Sequence, residues 1–260
     1  EAERLAAQVD VVVVALGEPA YCETPGNIHD LRLPEAQLEL VRRVAKTGTP
    51  VVLVLLEGRP RIITPIVHQV QAILVGFLPG PQGAPAIAEI LAGQVNPSGR
   101  LPITYPKYAN TLVCYDYKSI EADDTTKIAY LYPFGHGLSY TRFEYSNLQV
   151  TPAHAAAGDP VTVQVQVKNS GSRPGRHVVE LYLRDVIRSV TPPVRRLKRF
   201  ADVQLKPGES KIVQFQLSLE DFTFIGRDNQ PVLEPGAFEF LVGPLKARFE
   251  LEVPATKSSY

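Results

Sequence analysis

One short stretch near the start of the chain gathers side chains that can transfer protons. It carries two glutamates, Glu18 and Glu23, and it closes with His29 and Asp30. Carboxyl and imidazole groups are the usual general acids and bases of enzymes, so proton transfer is the chemistry that this stretch could support. The stretch runs for about 16 residues, longer than most connections between secondary-structure elements, and connections of that length are often functional.

Each of these four side chains also has a structural explanation. Glu23 could be a solvated loop carboxylate, and Glu18 could cap a helix or accept hydrogen bonds from backbone amides. Asp30 could lie near the N-terminus of the next helix, where the macrodipole favours a carboxylate. His29 is expected to be a polar loop residue rather than a metal ligand, because no second histidine stands at ligand spacing. Residue types and spacing alone leave both explanations open.

Other classes of reactive site have little support in the sequence. The two cysteines, Cys22 and Cys114, cannot form a disulfide framework or a structural zinc site by themselves. Their wide separation favours two unrelated thiols, although a bridge between them stays open. The sequence contains no G-x-S-x-G elbow, no Walker A loop and no G-x-G-x-x-G motif, and their absence disfavours the reaction classes that depend on them.

The composition indicates an ordinary globular protein. Its 260 residues correspond to about two domains, and hydrophobic residues make up 45% of the chain against 21% charged residues. Lysine plus arginine and aspartate plus glutamate both number 27, and the resulting net charge of zero argues against nucleic acid as the main partner. No apolar run reaches the roughly 18 residues of a membrane span, so no membrane partner is expected. The absence of methionine leads us to expect a piece of a longer chain or a processed product.

The first half of the chain alternates apolar runs with helical patterns. Three continuous apolar runs are typical of strands buried on both faces, and a fourth, shorter strand is expected further on. Apolar residues at helical spacing predict two helices between them. Such alternation indicates a mostly parallel sheet with helical crossovers, in which sites form beyond the carboxyl ends of the strands. The predicted strands are 11–16, 51–56, 72–78 and 101–105, and the predicted helices are 33–46 and 84–91.

The second half of the chain changes to a two-residue period. Valines at positions 161, 163, 165 and 167 alternate with threonine and glutamine, and similar alternation recurs at 213–219 and 238–242. Short alternating strands separated by glycine- and proline-containing turns predict an antiparallel β-sandwich of about seven strands. We therefore divide the chain into an α/β domain at 1–106, a connecting segment at 107–137 that lies over a surface, and a β-sandwich at 138–256.

Several motifs, in the same order along the chain, resemble those of glycoside hydrolase family 3. That family has a G-E-x-x-Y-x-E-T-x-G loop leading into an L-x-[LI]-P helix start, and residues 17–26 and 31–34 match these patterns. Its Y-P-F-G-[HY]-G-L-S-Y junction is matched closely by residues 132–140. Further matches are VLVLLEGRP at 52–60, PGPQGAPA at 79–86, GQVNPSGRLP at 93–102, VELYLRD at 179–185, LKRF at 197–200, LKPG at 205–208 and EPG at 234–236.

The resemblance implies a three-part enzyme with a (β/α)8 barrel, an α/β sandwich domain and a fibronectin type III-like domain. This chain would hold the C-terminal part of the mostly parallel α/β domain and the whole fibronectin type III-like antiparallel β-sandwich, whereas the barrel would be absent. In that family the nucleophilic aspartate lies on the barrel, and the general acid/base glutamate lies on the loop matched here. The residue at the matching position is Glu23, and we expect Glu18, at the strand end, to orient the loop.

The implied activity is that of a retaining, exo-acting β-glucosidase, which removes terminal β-D-glucosyl residues from a β-glucoside or oligosaccharide. Retaining glycosidases use two carboxyl groups about 5 to 5.5 Å apart, so the isolated chain, lacking one of them, is expected to be inactive. The general acid of such an enzyme needs a pKa raised by burial or by a nearby carboxylate. The resemblance also implies no metal, no organic cofactor, a secreted or periplasmic location, and the barrel domain of the same enzyme as partner.

Two other functions fit the same sequence. One is a non-catalytic carbohydrate-binding or scaffolding module, in which Tyr108, Tyr115 and Tyr117 could form an aromatic platform. The lack of tryptophan counts against it, because sugar-binding platforms are usually exposed aromatic side chains. The other is a β-xylosidase or arabinofuranosidase of the same family, because the residues that recognise the sugar would lie mostly on the absent barrel.

Overall fold

The computed structural model describes residues 1–110, 115–118 and 130–252, which form two compact units. The α/β unit contains residues 1–95, 101–110 and 130–136, and the sandwich unit contains residues 96–100, 115–118 and 137–252. The domain boundaries that the sequence suggests at 106 and 137 stay a prediction. None of the helices in the described ranges has the length and apolar character that crossing a bilayer requires.

In the described part of the chain, the α/β unit is built on a three-stranded parallel sheet. Its strands are β1 (Val12–Gly17), β2 (Val51–Leu56) and β3 (Ala72–Val75), in the spatial order β1-β2-β3. The helices are α1 (Ala2–Ala6), α2 (Glu35–Ala45) and α3 (Gly83–Leu91). A short antiparallel ladder joins β4 (Tyr105–Pro106) to β5 (Tyr130–Tyr132). Parallel strands alternating with helices confirm the predicted α/β architecture.

Helix α2 covers one face of this sheet. Pro34 precedes its first turn, where a missing amide hydrogen costs no helical hydrogen bond, and Gly48 (φ 81°) lies in the connection that leaves the helix. The helix buries Leu38, Val41 and Val44 at the spacing of an amphipathic helix. These side chains share a core with apolar residues of the strands and adjoining segments, among them Val14, Leu16, Val51, Leu53, Leu55, Ile63 and Ile66.

Strand β1 differs from the prediction of burial on both faces. Val13 is 50% exposed, whereas Val14 and Leu16 are buried. The reason is that β1 lies at the edge of the described sheet, with β2 as its ladder partner, and α2 packs against only one of its faces. The prediction is confirmed for β2, which lies between two neighbouring strands and is buried along most of its length.

The strand predicted at 101–105 is wrong in its extent, since only its last residue enters the β4–β5 ladder. Leu101 is held by a turn instead. Its amide donates to the carbonyl of His136 (2.8 Å), and its carbonyl accepts from the amide of Gly135 (2.9 Å). Pro102 follows without an amide hydrogen, so it cannot donate to a ladder at that position.

The sandwich unit consists mainly of antiparallel strands in two sheets. In chain order the strands are β6 (Phe143–Thr151), β7 (His154–Ala156), β8 (Val161–Asn169), β9 (Gly175–Asp185), β10 (Arg196–Leu205), β11 (Ser210–Leu217), β12 (Phe224–Ile225), β13 (Pro231–Val232), β14 (Gly236–Val242) and β15 (Leu245–Glu252). Within the described residues, one sheet has the order β10-β9-β14-β15-β7 and the other has the order β11-β8-β6, while β12 pairs with β13. The two sheets hold one strand more than predicted because β7, which is only three residues long, pairs with β15 at the edge of the five-stranded sheet.

The apolar side chains of the two-residue pattern form the core of the sandwich unit. The alternating valines of β8 are at most 1% exposed, and their polar neighbours face away from the core. Aromatic rings from β14 and β15 complete the packing around Phe222, whose ring centre lies 5.2 Å from that of Phe238 and 5.3 Å from that of Phe249. This arrangement confirms the predicted antiparallel β-sandwich after the α/β unit.

Candidate active site

The loop that carries Glu18, Glu23, His29 and Asp30 begins where β1 ends, at the carboxyl end of the parallel sheet. Gly17 has a φ of 152°, and a Cβ atom on it would stand 1.8 Å from the carbonyl oxygen of Leu56, so a side chain cannot be placed there. The side chain of Gln37 holds the Gly17 peptide, because its Oε1 accepts from the Gly17 amide (3.1 Å) and its Nε2 donates to the Gly17 carbonyl (3.0 Å). The start of the loop is therefore fixed to both β2 and α2.

Glu18 is a buried anchor at the start of the loop. Its side chain is 4% exposed and forms ion pairs with Arg59 (Nη2–Oε1, 2.7 Å) and Arg61 (Nη1–Oε1, 3.2 Å). Its Oε2 accepts from the amides of Gly58 (3.1 Å) and Arg59 (3.3 Å). Burial alone would raise the pKa of Glu18, but the hydrogen bonds from Arg59 and Gly58 outweigh it and lower the pKa below its usual value. Of its two structural explanations, bonding to backbone amides is confirmed and helix capping is wrong.

The side chain of Arg59 connects three separate parts of the loop. Its Nε (3.0 Å) and Nη2 both donate to Oε1 of Glu18. Its Nη1 donates to the carbonyl of Gly26, and its guanidinium carbon lies 4.1 Å from the centre of the Tyr21 ring. The Tyr21 ring lies close to two glycines, since a Cβ on Gly26 would stand 2.6 Å from it and a Cβ on Gly58 would stand 2.0 Å from its hydroxyl oxygen.

Glu23 lies between these contacts with its carboxylate free. The residue is exposed, and its side chain makes no hydrogen bond or ion pair with any described residue. Its backbone (φ 48°, ψ −146°) lies near a region that only glycine enters readily, which costs of the order of 1–3 kcal/mol. A single 3-10 turn, Thr24–Gly26, follows, and the Gly26 amide donates to the Glu23 carbonyl (2.9 Å). Strain of this kind is concentrated at functional sites.

A third glutamate, Glu57, is part of the same region and was missed by the sequence analysis. It is fully buried, and its carboxylate accepts from the hydroxyl of Tyr105 (2.8 Å) and the amide of Arg61 (3.3 Å). Burial raises the pKa of Glu57 to about 7, although these two hydrogen bonds act in the opposite direction. Its position directly after the apolar run of β2 does not reveal the contact with Tyr105, which lies 48 residues away in the sequence.

His29 and Asp30 form no hydrogen bond or ion pair with Glu23. His29 and Asp30 line a cavity of about 760 Å³ together with Arg32 and Arg61, and Glu23 is not among its lining residues. Asp30 forms an exposed ion pair with Arg32 (2.6 Å). The structure therefore joins Glu18 to the arginines after β2 but does not bring His29 or Asp30 to Glu23.

Metal and thiol chemistry find little support in this region. Among residues 1–110, 115–118 and 130–252, no group of three or more histidine, cysteine, aspartate or glutamate side chains could hold a metal ion. Cys22 is exposed and forms no disulfide with any residue that the structure describes. Cys114 lies outside the described residues, so the question of a bridge between the two cysteines stays as the sequence left it.

The family of the chain follows from its match to known sequence profiles. The profile described as Glycosyl hydrolase family 3 C-terminal domain matches residues 1–140. The chain belongs to glycosyl hydrolase family 3. A second profile, the Fibronectin type III-like domain, matches residues 177–245 of this family 3 chain, within the sandwich unit. Both matches confirm the resemblance drawn from the motifs.

Two relatives of this family 3 chain show how much of a longer protein it represents. The lysosomal beta glucosidase of Dictyostelium discoideum is 43% identical over 255 residues, which cover 94% of this chain and 31% of the relative. The periplasmic beta-glucosidase of Salmonella typhimurium is 35% identical over 263 residues, covering 95% of this chain and 34% of the relative. The chain thus spans about a third of the length of these relatives.

A solved structure agrees in fold. A mutant beta-glucosidase from Listeria innocua, determined in complex with laminaribiose, superposes with a TM-score of 0.88 at 32% sequence identity. The match covers 96% of this family 3 chain and 37% of the Listeria chain.

Proposed function

We propose that this family 3 chain is the C-terminal part of a retaining, exo-acting β-glucosidase. The whole enzyme removes terminal β-D-glucosyl residues, with Glu23 as general acid/base and a nucleophilic carboxylate on a barrel domain outside this chain. The observation that carries the proposal is the free, exposed carboxylate of Glu23 on a strained backbone, in a loop that is otherwise held by ion pairs. Support for the sugar comes from relatives that are named beta-glucosidases.

The proposed reaction has two steps that use Glu23 in opposite directions. In the first step the Glu23 carboxylic acid donates its proton to the glycosidic oxygen while the nucleophile attacks the anomeric carbon, which releases the aglycone and leaves a glycosyl-enzyme. In the second step the Glu23 carboxylate takes a proton from a water molecule, and that water displaces the nucleophile with overall retention. A side chain that must both give and take a proton has to be free of permanent partners.

The other two glutamates of the region are poorly suited to that role. Glu18 has a lowered pKa, and its two oxygens already accept hydrogen bonds from two arginine side chains and two backbone amides, so it is held as a carboxylate. Glu57 has no exposed surface, so it cannot touch a substrate without rearrangement of the core. Of the three glutamates, Glu23 is the one whose carboxyl group is exposed to a ligand.

Two further parts of the proposal follow from placing the general acid/base and the nucleophile on different domains. Because one of the two carboxyl groups lies outside the chain, the isolated chain should not hydrolyse glucosides. Because proton transfer and nucleophilic attack are both carried out by carboxyl groups, the proposed reaction requires neither a metal nor an organic cofactor. A secreted or periplasmic location is supported by the periplasmic name of the Salmonella relative.

The experiment that tests the proposal compares leaving groups in the complete, barrel-containing enzyme. Glu23→Ala should lower kcat/KM for phenyl β-glucoside by about 10²–10⁴-fold, the usual contribution of general acid catalysis, and have a much smaller effect on 2,4-dinitrophenyl β-glucoside, whose leaving group needs no proton. Glu89→Ala, an exposed glutamate of α3, is the matched control and should leave both rates unchanged. A Glu23→Ala enzyme with full activity on phenyl β-glucoside would refute the role.

A sugar-binding module is the competing outcome. If the isolated chain binds a β-glucan, and binding is unchanged in Glu23→Ala while the complete enzyme is also unaffected, the chain is a binding module and not part of the catalytic machinery. The hydroxyl of Tyr115, one of the predicted platform residues, accepts a hydrogen bond from the Leu197 amide (2.6 Å) and so has a structural role in the sandwich unit.

A further inference from the structure

We infer that Arg59 is a positioning residue that sets the orientation of Glu23. The inference rests on the proposed role of Glu23 and assigns a second residue to the same reaction. Arg59 follows β2, more than thirty-five residues after Glu23 in the sequence, and its side chain binds the loop on both sides of the proposed general acid/base.

The first contact fixes the beginning of the loop. Two nitrogens of Arg59, Nε (3.0 Å) and Nη2 (2.7 Å), donate to one carboxylate oxygen of Glu18. The Glu18 side chain is 4% exposed, so solvent screens this pair much less than an ion pair on the surface. A charged pair with two hydrogen bonds in such surroundings defines a direction as well as a distance.

The second and third contacts fix the residues on either side of Glu23. Tyr21, two positions before it, places its ring over the Arg59 guanidinium at 4.1 Å. Gly26, three positions after it, accepts a hydrogen bond from Arg59 Nη1 at its carbonyl. Glu23 thus lies between two contacts to the Arg59 side chain, although its own side chain forms no hydrogen bond or ion pair with Arg59.

These contacts matter because Glu23 does not rest in a relaxed conformation. Its φ of 48° with ψ of −146° is unfavourable for a residue with a Cβ atom, and such a conformation persists only where the surroundings hold it. The two local hydrogen bonds of the turn, from the amides of Gly26 and Asn27, lie after Glu23 and do not connect it to the rest of the unit. Arg59 supplies that connection.

Lysine could not replace these contacts. The planar guanidinium of Arg59 donates hydrogen bonds from three nitrogens and packs on the face of the Tyr21 ring at the same time. An ammonium group is a compact point charge and cannot make these contacts together. The neighbouring Arg61 does not duplicate the role either. It reaches Glu18 through Nη1 (3.2 Å), but its Nη2 donates to the carbonyl of Arg32, outside the turn that carries Glu23.

The test measures whether loss of Arg59 reproduces loss of the proposed proton donor. In the complete enzyme, Arg59→Ala should lower kcat/KM for phenyl β-glucoside by about 100-fold and kcat/KM for 2,4-dinitrophenyl β-glucoside by less than about 5-fold. The reason is that only the phenol leaving group must be protonated as it departs. Arg59→Lys should show the same selectivity. Millimolar guanidinium should restore the rate of Arg59→Ala on phenyl β-glucoside and leave Arg59→Lys unchanged.

Arg43→Ala serves as the matched control. Arg43 lies on α2, where it is more than half exposed and pairs with Glu39 (3.0 Å), so its loss should leave both rates unchanged. If Arg59→Ala lowers both rates equally, or lowers neither while Glu23→Ala remains selective, the positioning role is overturned and the proposed function stands. If Glu23→Ala itself shows no selectivity, the proposed function fails and the inference fails with it.

A second measurement uses the isolated chain and does not depend on activity. Amide hydrogen exchange at Gly26 and Asn27, whose amides donate to the carbonyls of Glu23 and Thr24, reports directly on the order of the turn. Arg59→Lys should speed exchange at these two amides by at least about 10-fold, with β2 amides unaffected, and Arg43→Ala should change neither. Unchanged exchange at both amides in Arg59→Lys would overturn the inference.

Discussion

The loop around Glu23 and the core of the sandwich unit are ordered by different forces. In the sandwich core, apolar side chains such as Phe240 are fully buried, and strands β8, β11 and β14 repeat the same two-residue burial pattern. In the loop, order comes from one buried carboxylate and the arginine that binds it, and one residue is left strained with a free side chain. A region can therefore be well ordered without being relaxed, and the unrelaxed region is the one suited to chemistry.

Loss of a buried ring should destabilise the sandwich unit far more than loss of an exposed one. Phe240→Ala removes a fully buried ring and should lower the free energy of unfolding of the sandwich unit by about 3–5 kcal/mol. Phe200→Ala, on the neighbouring surface and 66% exposed, is the control and should change it by less than about 0.5 kcal/mol. Urea unfolding followed by circular dichroism measures both, and equal effects would show that burial does not order the sandwich as described.

The next effect concerns the pH dependence of the α/β unit. The folded chain keeps a proton on Glu57 up to about pH 7, whereas an unfolded glutamate releases it near 4.5, so the folded state binds more protons in this window. Stability should therefore fall as the pH rises from about 4.5 to about 7, by about 3 kcal/mol relative to Glu57→Gln.

Urea unfolding of the wild type and Glu57→Gln across pH 4.5–8 makes this measurement. Taking the difference between the two proteins removes the contributions of other groups, including Glu18, whose lowered pKa acts in the opposite direction. A difference that does not change with pH would contradict the buried, partly protonated state of Glu57.

A comparison of glycine and alanine at position 23 tests whether the backbone of Glu23 is strained. Glycine enters the Glu23 backbone conformation freely, so Glu23→Gly should be about 1 kcal/mol more stable than Glu23→Ala. At Glu89, inside α3, the order should reverse, because glycine is about 1 kcal/mol worse than alanine in a helix. Thermal or urea unfolding of the four variants measures both differences. If alanine is the more stable residue at both positions, the backbone of Glu23 is not strained.

Much of the fold could be predicted because its elements carry local patterns. The apolar run at 51–56 coincides with β2, and the helical spacing at 33–46 contains α2 (Glu35–Ala45). The exposed face of β1 could not be predicted, since an apolar run does not reveal whether a second layer covers it. The short extent of β4 could not be predicted either, because Leu101 forms its backbone hydrogen bonds with residues 135 and 136, which are distant in the sequence.

The candidate site was predicted only in part, for a related reason. The role of Glu23 rests on the family motif and stays a proposal, whereas hydrogen bonding of Glu18 to backbone amides was one of two explanations left open by the sequence. Arg59 and Glu57 were not identified from the sequence, because their decisive partners, Glu18 and Tyr105, lie more than forty residues away in the sequence. Neither residue type nor local spacing carries information about contacts of that separation.

The most direct test of the central claim is the product that forms when the proposed proton donor is removed. Glu23→Ala in the complete enzyme, supplied with 2,4-dinitrophenyl β-glucoside and sodium azide, should turn over faster with azide and release β-glucosyl azide, because a small anion can occupy the space of the missing carboxylate and attack the glycosyl-enzyme. Release of glucose alone, at a rate independent of azide and equal to that of the wild type, would contradict the role of Glu23.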